Sequence, residues 1–583
     1  MQDYYPFNLG QYTKRITTSK KETQIWFDRA LLQMYSFNHE ETLNCCEKAL
    51  EYDQNCAMIY FLKSIAQGIN YNNCPEYLNP IQAHNQHESW KKANENKEKC
   101  SEQEKDLIQA LQYKVGNGKS LLHKQNDINF ANKMRKIYKK YPQDDFIAEI
   151  FAESLMNLRP WNLWVQKQEN GLKYGDPYQD TLEIKEVLEK GLEYNQDHLG
   201  LRHLWIHLME QSPYPEKALE QNFNKSLIQL SPDSGHLNHM PSHIYILCGK
   251  YEESIKVNEL AIKNDEKYFQ YRNQQKYPSF CSYIGFICHN ITLLIYSAMF
   301  AGQYEKSYKG GEYLLQILNI NCLKDNSSIF FPSTAFRLES FVPIILHVYI
   351  RFGKWEEIIK DEPFGQFLSL NQVFSNPDLY QSTIATLYYS KGIAYSVLAG
   401  KNLNEKNNLL NKAQKQIDLF NQAFNQIGNN RFLHNCNMKD VLAVAHDMII
   451  GEYEYRCQNY QKAFQYLRNA VQKDDNLPYD EPWGWMIPTR HALGALLLEC
   501  GIDNKNKSYI QEAELVYRQD LGEGVIRSVA HPNNIWSLVG LYKCLIQQGK
   551  KEQASKFKNI LDEKILNTDI SIISSCMCSF KKN

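Results

Sequence analysis

The chain has 583 residues, with 65 Lys and Arg against 66 Asp and Glu, 43% hydrophobic and 13% aromatic residues, and only 27 Gly and 19 Pro. So few turn residues argue against collagen-like, disordered and turn-dense all-β chains and for a mostly helical protein, for which length alone suggests three or four domains. A net charge of −1 gives no unbalanced field to draw nucleic acid to the whole surface.

No apolar run reaches the roughly 18 to 20 residues that span a bilayer. The longest, Ser340 to Ile350 and Ile291 to Ala301, carry His347 or polar breaks. The start MQDYYPFNLG lacks the basic and apolar stretches of a signal peptide, so a cytoplasmic protein without membrane or nucleic-acid partners is expected. The 15 Cys include no C-x-x-C and read as small buried hydrophobes of a reducing compartment.

The first clear element is WFDRALLQMYSFNHEETLNCCEKALEYDQ, a helical hairpin in which Trp26 precedes Ala30 by four, Thr42 follows by twelve, and Cys46 and Ala49 keep step. Small residues at these offsets let two antiparallel helices approach closely. The polar insertion Asn70 to Cys100 then breaks the period, and its His84 and His87 read as solvated. GNGKS, Gly116 to Ser120, echoes the end of a phosphate loop, but Tyr113 stands where an earlier Gly is needed and a helix-like run precedes it, so no nucleotide cofactor is expected.

The spacing recurs at Ser242 to Ala261, Ile295 to Ser307, Leu346 to Ile358, Gly392 onward, and Gly451 to Ala470, where Asn459 lies near the turn. It recurs again around Gly494, with the second helix delayed near Asn504 to Lys507, and from Trp536 to Ala554. Insertions at Asn319 to Ser333 and Lys401 to Asn411 interrupt it. This is the 34-residue tetratricopeptide (TPR) period, and the expected fold is an all-α, TPR-like superhelix, or solenoid, of antiparallel helix pairs. Three parts are expected in one continuous array: 1–190 with a hairpin and the polar insertion, 191–360 rich in histidine, and 361–583.

Seven imidazoles crowd the middle: His198, His203, His207, His236, His239, His243 and His289. At about 100° per residue, with Ser242 as the small packing residue, His239, His243 and His236 fall near +60°, +100° and +120°. In the preceding repeat, aligned on Ile206, His203, His207 and Glu210 fall near +60°, +100° and +40°; in the following one His289 falls near +120°. All aim at one side, which in such a solenoid is the concave groove. Neutral imidazoles in two H-x-x-x-H pairs, with His236 and His289 beside them, offer three ligands to each of two ions, and suit Cu, Zn or Fe better than Mg or Ca. Glu210 reads as ligand, orienting group or general base. Pro241 either kinks the helix or starts it; a start there would leave His236 and His239 in a loop.

A second cluster, YDEPWGWMIPTRH, supplies Asp480, Glu481, Trp483, Trp485, Arg490 and His491 as an aromatic and charged rim for a ligand or as an anchor between repeats. Tyr245, Tyr283, Tyr296 and His347 could pack around the groove. There is no G-x-S-x-G and no H-E-x-x-H. Cys576 and Cys578 form a soft pair that suits Cu(I) or Zn as thiolates.

The segments GHLNHMPSHIY, HLWIHLMEQSPYPEKAL, DEPWGWMIPTRHALGALLLECG and HPNNIWSLVGL together give a resemblance covering nearly the whole chain. It resembles an uncharacterised family of TPR proteins sharing the GHLxHMPSHIY segment, which implies the fold and leaves the activity to the residues. Two functions are therefore expected. The first is a concave groove that binds a protein, peptide or small molecule, as a scaffold would. The second is a metalloenzyme, an oxidoreductase or hydrolase, with His203, His207, His236, His239, His243 and His289 as ligands.

Overall fold

The computed structural model describes residues 5–72, 80–118, 124–167, 172–220, 226–277, 283–325 and 332–579. They fold into two compact units, one made of 1–244 and 260–287, the other of 245–259 and 288–583. Both are all-α. Among the described residues the strands are one two-residue hairpin, Phe432–Leu433 against Cys436–Asn437.

In the first unit Lys21–Tyr35 packs on His39–Tyr52, Ala57–Ala66 on Pro80–Glu95, Glu102–Val115 on Lys124–Lys140 and Asp145–Met156 on Thr181–Tyr194. In the second, Gln381–Lys401 packs on Lys406–Gln426, Met438–Arg456 on Tyr460–Asp474, Thr489–Asp503 on Lys507–Asp520 and Ile535–Gln547 on Lys551–Ile565. These are TPR-like antiparallel pairs stacked so that each buries the face its neighbour leaves open. Polar side chains fix where many helices start: Asn38 accepts from Glu41 N at 3.2 Å, and Ser101 and Glu104 form a capping box.

The turns inside the pairs repeat one conformation. Phe37, Gly249, Gly302, Gly353, Gln458, Lys505 and Gly549 all have positive φ, between 52° and 72°. Four are Gly, the residue that adopts this region without steric cost. Phe37 is the bulky exception.

Small residues on the first helices also act as expected. A Cβ at Gly451 would lie 2.8 Å from Leu467 Cγ, and one at Gly494 or Gly540 would lie 2.6 or 2.2 Å from the Tyr517 ring. Tyr517 is fully buried between those two glycines.

Two insertions taken as breaks in the period are themselves helical. Pro80–Glu95 lies within Asn70 to Cys100 and buries Ala83, Gln86, Ser89 and Ala93, a face too small and polar to register as hydrophobic periodicity. Lys401 to Asn411 falls in the last residue of Gln381–Lys401, a short 3₁₀ turn and the start of Lys406–Gln426. Gly116 ends the helix Glu102–Val115, while Lys119 and Ser120 lie outside the described residues. No helix among the described residues is long and apolar enough to cross a membrane.

Candidate metal centre

Helix Leu199–Glu210 carries His203, His207 and Glu210 and is buried on every side. Such a helix belongs in an interior, and Gly200 lets it sit there: a Cβ at that position would lie 2.7 Å from the Tyr35 ring and 2.8 Å from Glu149 Cγ. The close approach brings Tyr35 O within 2.7 Å of His203 Nδ1. His198 caps the helix, its Nδ1 accepting from Leu201 N at 3.1 Å.

His236 and His239 lie on the short helix Gly235–His239, and His243 on Pro241–Leu247, which straddles the two units. Met240 between the two helices has φ −49° and ψ −40°, so the chain keeps helical geometry through Pro241, and the loop alternative for His236 and His239 does not hold. The helix is interrupted at Met240, as expected where Pro241 removes one N–H donor.

Five imidazoles and one carboxylate meet in this unit. His207 Nδ1 donates to Glu210 Oε1 at 3.0 Å and His243 Nδ1 donates to Glu210 Oε2 at 2.8 Å. His203 Nε2 and His207 Nε2 are 3.1 Å apart, and His239 Nε2 and His243 Nε2 are 2.7 Å apart. Ligand atoms of His203, His207 and His236 lie within 4.8 Å of one another, as do those of His207, Glu210 and His243.

The two facing pairs differ. His239 Nδ1 is 3.3 Å from Ser242 Oγ, which can donate to it, so a proton on His239 Nε2 can bridge to His243. In the other pair each ring has its proton on Nδ1, His203 held by a carbonyl and His207 by a carboxylate. Two bare Nε2 lone pairs therefore face each other at 3.1 Å. His236 joins them with neither nitrogen hydrogen-bonded among the described residues, although the residue is fully buried. Buried polar atoms are almost always paired, so this set calls for a cation.

Burial holds the rings neutral. It pushes His203 down to about 3 and His207 and His236 well below the usual histidine range, with the neighbouring imidazoles adding to the effect. Neutral imidazole is the form that ligates metals.

Aromatic rings wall the cluster. Phe37 lies 4.4 Å from His203, 6.2 Å from His207 and 5.8 Å from His236, Tyr71 and Trp161 lie 5.0 and 5.3 Å from His207, and Phe286 lies 4.7 Å from His236. Phe37 and Trp161 both have positive φ, 55° and 56°, which is strained for bulky residues. No sequence signal singled out these four rings, although Phe37 replaces the Gly that other turns use.

The expected groove orientation is corrected: His203, His207, His236, His239 and His243 are at most 1% exposed and line an interior, not an open surface. Helix angles show that side chains share a face, but not whether another element covers that face.

The remaining candidates belong to the second unit, except Tyr283, whose hydroxyl donates to Asp265 Oδ1 at 2.9 Å in the first. His289 is half-buried with its Nδ1 3.2 Å from that of His434, a residue the sequence reading missed. Tyr245 is half-buried, and burial raises its phenol. Tyr296 is buried against Phe300 and Trp483, its hydroxyl without a hydrogen-bond partner among the described residues. His347 packs on Tyr389 and Trp485, and burial lowers it to about 4.

The supposed rim largely binds itself. Trp483 Nε1 donates to Ser528 O at 2.6 Å, Arg490 makes two bonds of 2.5 and 2.7 Å to Asp475, Tyr479 OH donates to Glu481 at 2.5 Å, and Asp480 accepts from Glu481 N at 3.0 Å. His491 accepts from Arg351 Nη1 at 2.7 Å through Nδ1 and donates to Asp520 Oδ2 at 2.9 Å through Nε2. Asp520 is the missed hub: it also accepts from His531 at 2.9 Å, Asn534 at 2.8 Å and Ser537 at 2.7 Å, which holds its carboxyl well below the usual range despite burial. Cys576 and Cys578 are joined as a disulfide, which removes the thiolates a soft-metal pair needs.

Fold and site together define an all-α protein of stacked TPR-like pairs with a buried polyhistidine centre. No protein-family profile matches the sequence, and no curated protein is similar to it. Among solved structures the chain is similar to a human IFIT1 dimer with m7Gppp-AAAA, at 10% identity over 91% of this chain and 95% of that one, with a TM-score of 0.29. It is similar to the APC/C hetero-tetramer Cut9–Hcn1 at 10% identity, 90% of each chain and TM-score 0.27, and to yeast Tom70 at 11% identity, 94% and 93% coverage and TM-score 0.24. The fold assignment rests on the helix pairs and their repeated turns.

Proposed function

We propose that the chain is a metalloprotein that holds a transition-metal ion on Nε2 of His203 and His207 and on His236. What carries this reading is the pair of proton-free Nε2 atoms 3.1 Å apart, each ring being fixed from behind by its Nδ1–H. Of the three roles open to Glu210, the orienting one fits: both oxygens are engaged by imidazole N–H groups, as in the carboxylate that aims a metal-bound histidine.

A nitrogen-only donor set favours Cu or Zn over Fe, whose non-haem sites usually include a ligating carboxylate. Three imidazoles leave a coordination position for a small molecule, and the bound metal would supply Lewis-acid or redox chemistry there. This chain's own contribution is to fix the imidazole tautomers, hold the rings neutral and exclude bulk water with Phe37, Tyr71, Trp161 and Phe286. His239 and His243, in the same unit, are further imidazoles that the sequence offers as ligands.

Elemental analysis of protein purified without chelator tests the reading. About one equivalent of Cu or Zn is expected, falling at least tenfold in a folded His236→Ala variant, as removal of a first ligand requires. Less than about 0.2 equivalents of any transition metal after reconstitution would refute it.

The array of helix pairs supports a second reading, an interaction scaffold, which concerns the other unit and is independent of the metal.

A further inference from the structure

Helix Ile344–Arg351 is buried on every side, so the guanidinium of Arg351 ends in the interior of the second unit. The turn at Gly353, with φ 66°, reverses the chain and sets Trp355 at the start of helix Trp355–Ile359. In the link between Tyr460–Asp474 and Thr489–Asp503, Trp485 packs on Tyr389 and His347 with ring centroids 5.4 and 5.1 Å away. These elements meet around a pocket of about 500 Å³, its open mouth included, lined by Arg351, Trp355, Tyr389, Glu452, Trp485 and His491. The rest of the lining is apolar, with the Cys576–Cys578 disulfide as part of the wall. That wall is fixed: Ser579 N donates to Cys576 O at 3.1 Å, and Arg456 Nη2 donates to Cys578 O at 2.7 Å.

Three N–H groups of the lining are unused. Arg351 donates through Nη1 to His491 Nδ1 at 2.7 Å and through Nη2 to Ser575 O, but its Nε has no acceptor among the described residues. Neither has Nε1 of Trp355 or Nε1 of Trp485. All three residues are at most 3% exposed. Buried donors without an acceptor are rare, because burial strips their water and nothing replaces it. Three side chains in this condition around one pocket call for an acceptor inside it.

What they lack is an acceptor and not a charge. Burial pushes the Arg351 guanidinium down to about 9, and the charge that opposes this is Asp520, which accepts from His491 Nε2 at 2.9 Å. Glu452, the carboxylate of the lining, accepts from Arg456 Nε at 2.7 Å. Each buried charge at the pocket thus has a counter-charge, and a ligand carboxylate would add an unbalanced one at a heavy desolvation cost. An oxygen lone pair on an uncharged ligand meets the donors without that cost. The indoles, the Tyr389 ring and the aliphatic lining suit a compact apolar body, as small-molecule sites with a few placed polar groups do.

We propose that the second unit holds a binding site for a small uncharged carbonyl compound, an amide, ketone or ester, whose oxygen accepts from the N–H groups that Arg351, Trp355 and Trp485 leave over. Its apolar part lies against the aromatic and aliphatic wall. The residues of this site all belong to the second unit, so it is separate from the polyhistidine centre of the first.

The probes are cyclopentanone, methylenecyclopentane, in which a CH₂ group replaces the oxygen at nearly the same shape, and cyclopentanecarboxylate. The full chain is labelled with ¹⁵N at the indole nitrogens of its nine tryptophans and titrated by NMR, with Trp355→Phe and Trp485→Phe identifying the two signals. Cyclopentanone should shift both signals saturably and bind at least about tenfold more tightly than either other probe, the effect of giving buried donors an acceptor. Trp485→Phe, which keeps a ring and loses the N–H, should weaken cyclopentanone about fivefold and change methylenecyclopentane less than about twofold. The comparison of probes on the unaltered chain stands even if the variants fail to fold. Equal binding of cyclopentanone and methylenecyclopentane would overturn the proposal by reducing the pocket to an apolar cleft. Tighter binding of the carboxylate would overturn it in favour of an anion site, and no saturable shift with cyclopentanone would overturn it by leaving the donors to water.

Discussion

Glu210 and His243 lie 33 residues apart in sequence, yet Glu210 Oε2 accepts a 2.8 Å bond from His243 Nδ1 while its other oxygen takes the proton of His207. One carboxylate thus sets the tautomer of two rings on different helices. In both, Nε2 is left proton-free and turned inward.

Glu210→Gln keeps the shape but offers one acceptor instead of two, so one ring must change tautomer or lose its partner. Metal affinity, measured by competition with a chromophoric chelator, should fall about 10- to 100-fold, the usual cost of losing such an outer carboxylate. Far-UV circular dichroism should stay unchanged.

Phe37 supplies a second test, because its backbone conformation is the one that Gly adopts in four of the equivalent turns. Phe37→Gly should relieve backbone strain of about 1 kcal/mol while removing the ring above His203, His207 and His236. The expected result is a net loss of about 2 to 4 kcal/mol by urea denaturation, the cost of deleting a buried Phe less the strain relieved, together with metal lost faster to a chelator, measured as the off-rate of the loaded protein. An off-rate unchanged by the substitution would show that the ring serves packing alone.

The glycines around Tyr517 give a prediction about packing. Gly540→Ala places a Cβ 2.2 Å from the ring and should cost about 1 to 3 kcal/mol by urea denaturation. In a Tyr517→Leu background the same change should cost markedly less, since the clash has lost its partner.

Asp520→Ala strands His491, His531, Asn534 and Ser537 without their shared acceptor in a buried site. A loss of about 3 to 5 kcal/mol is expected in chemical denaturation, as for removal of one member of a buried charged network.

Acid sensitivity follows from His347. Its folded value, about 4, lies below that of an unfolded histidine because the ring is buried against Tyr389 and Trp485. In the window between roughly pH 6.5 and pH 4 the unfolded chain therefore binds the extra proton, and stability falls as pH falls. This one ring should account for about 3 kcal/mol between pH 7 and pH 4. His347→Phe should flatten that part of the stability profile, measured by urea midpoints across the range.

The fold was legible because the offsets of Ala30, Gly451 and Gly494 from their partner helices are local, and periodicity reports local packing directly. Pro80–Glu95 escaped because its buried face of Ala83, Gln86, Ser89 and Ala93 contains no large apolar residue. Of the site, the shared face of His203 and His207 and that of His239 and His243 could be read from their i, i+4 spacing. Phe37, Tyr71 and Trp161 escaped because rings from three separate turns carry no mutual spacing. So did Asp520, whose partners His491 and His531 lie on different segments.

By itself the sequence determined that the chain is a repeat of helix pairs, which small residues allow close pairing, and which imidazoles share a helix face, since all three depend on neighbours within a turn or two of chain. The tertiary structure alone decided that this face is an interior one and that the protons of His203 and His207 sit on Nδ1. It also decided that the irregular segment 568–579 packs on the helix pairs of the second unit. Burial and tautomer depend on what other segments bring to a side chain, and the spacing of residues along one helix carries no record of that.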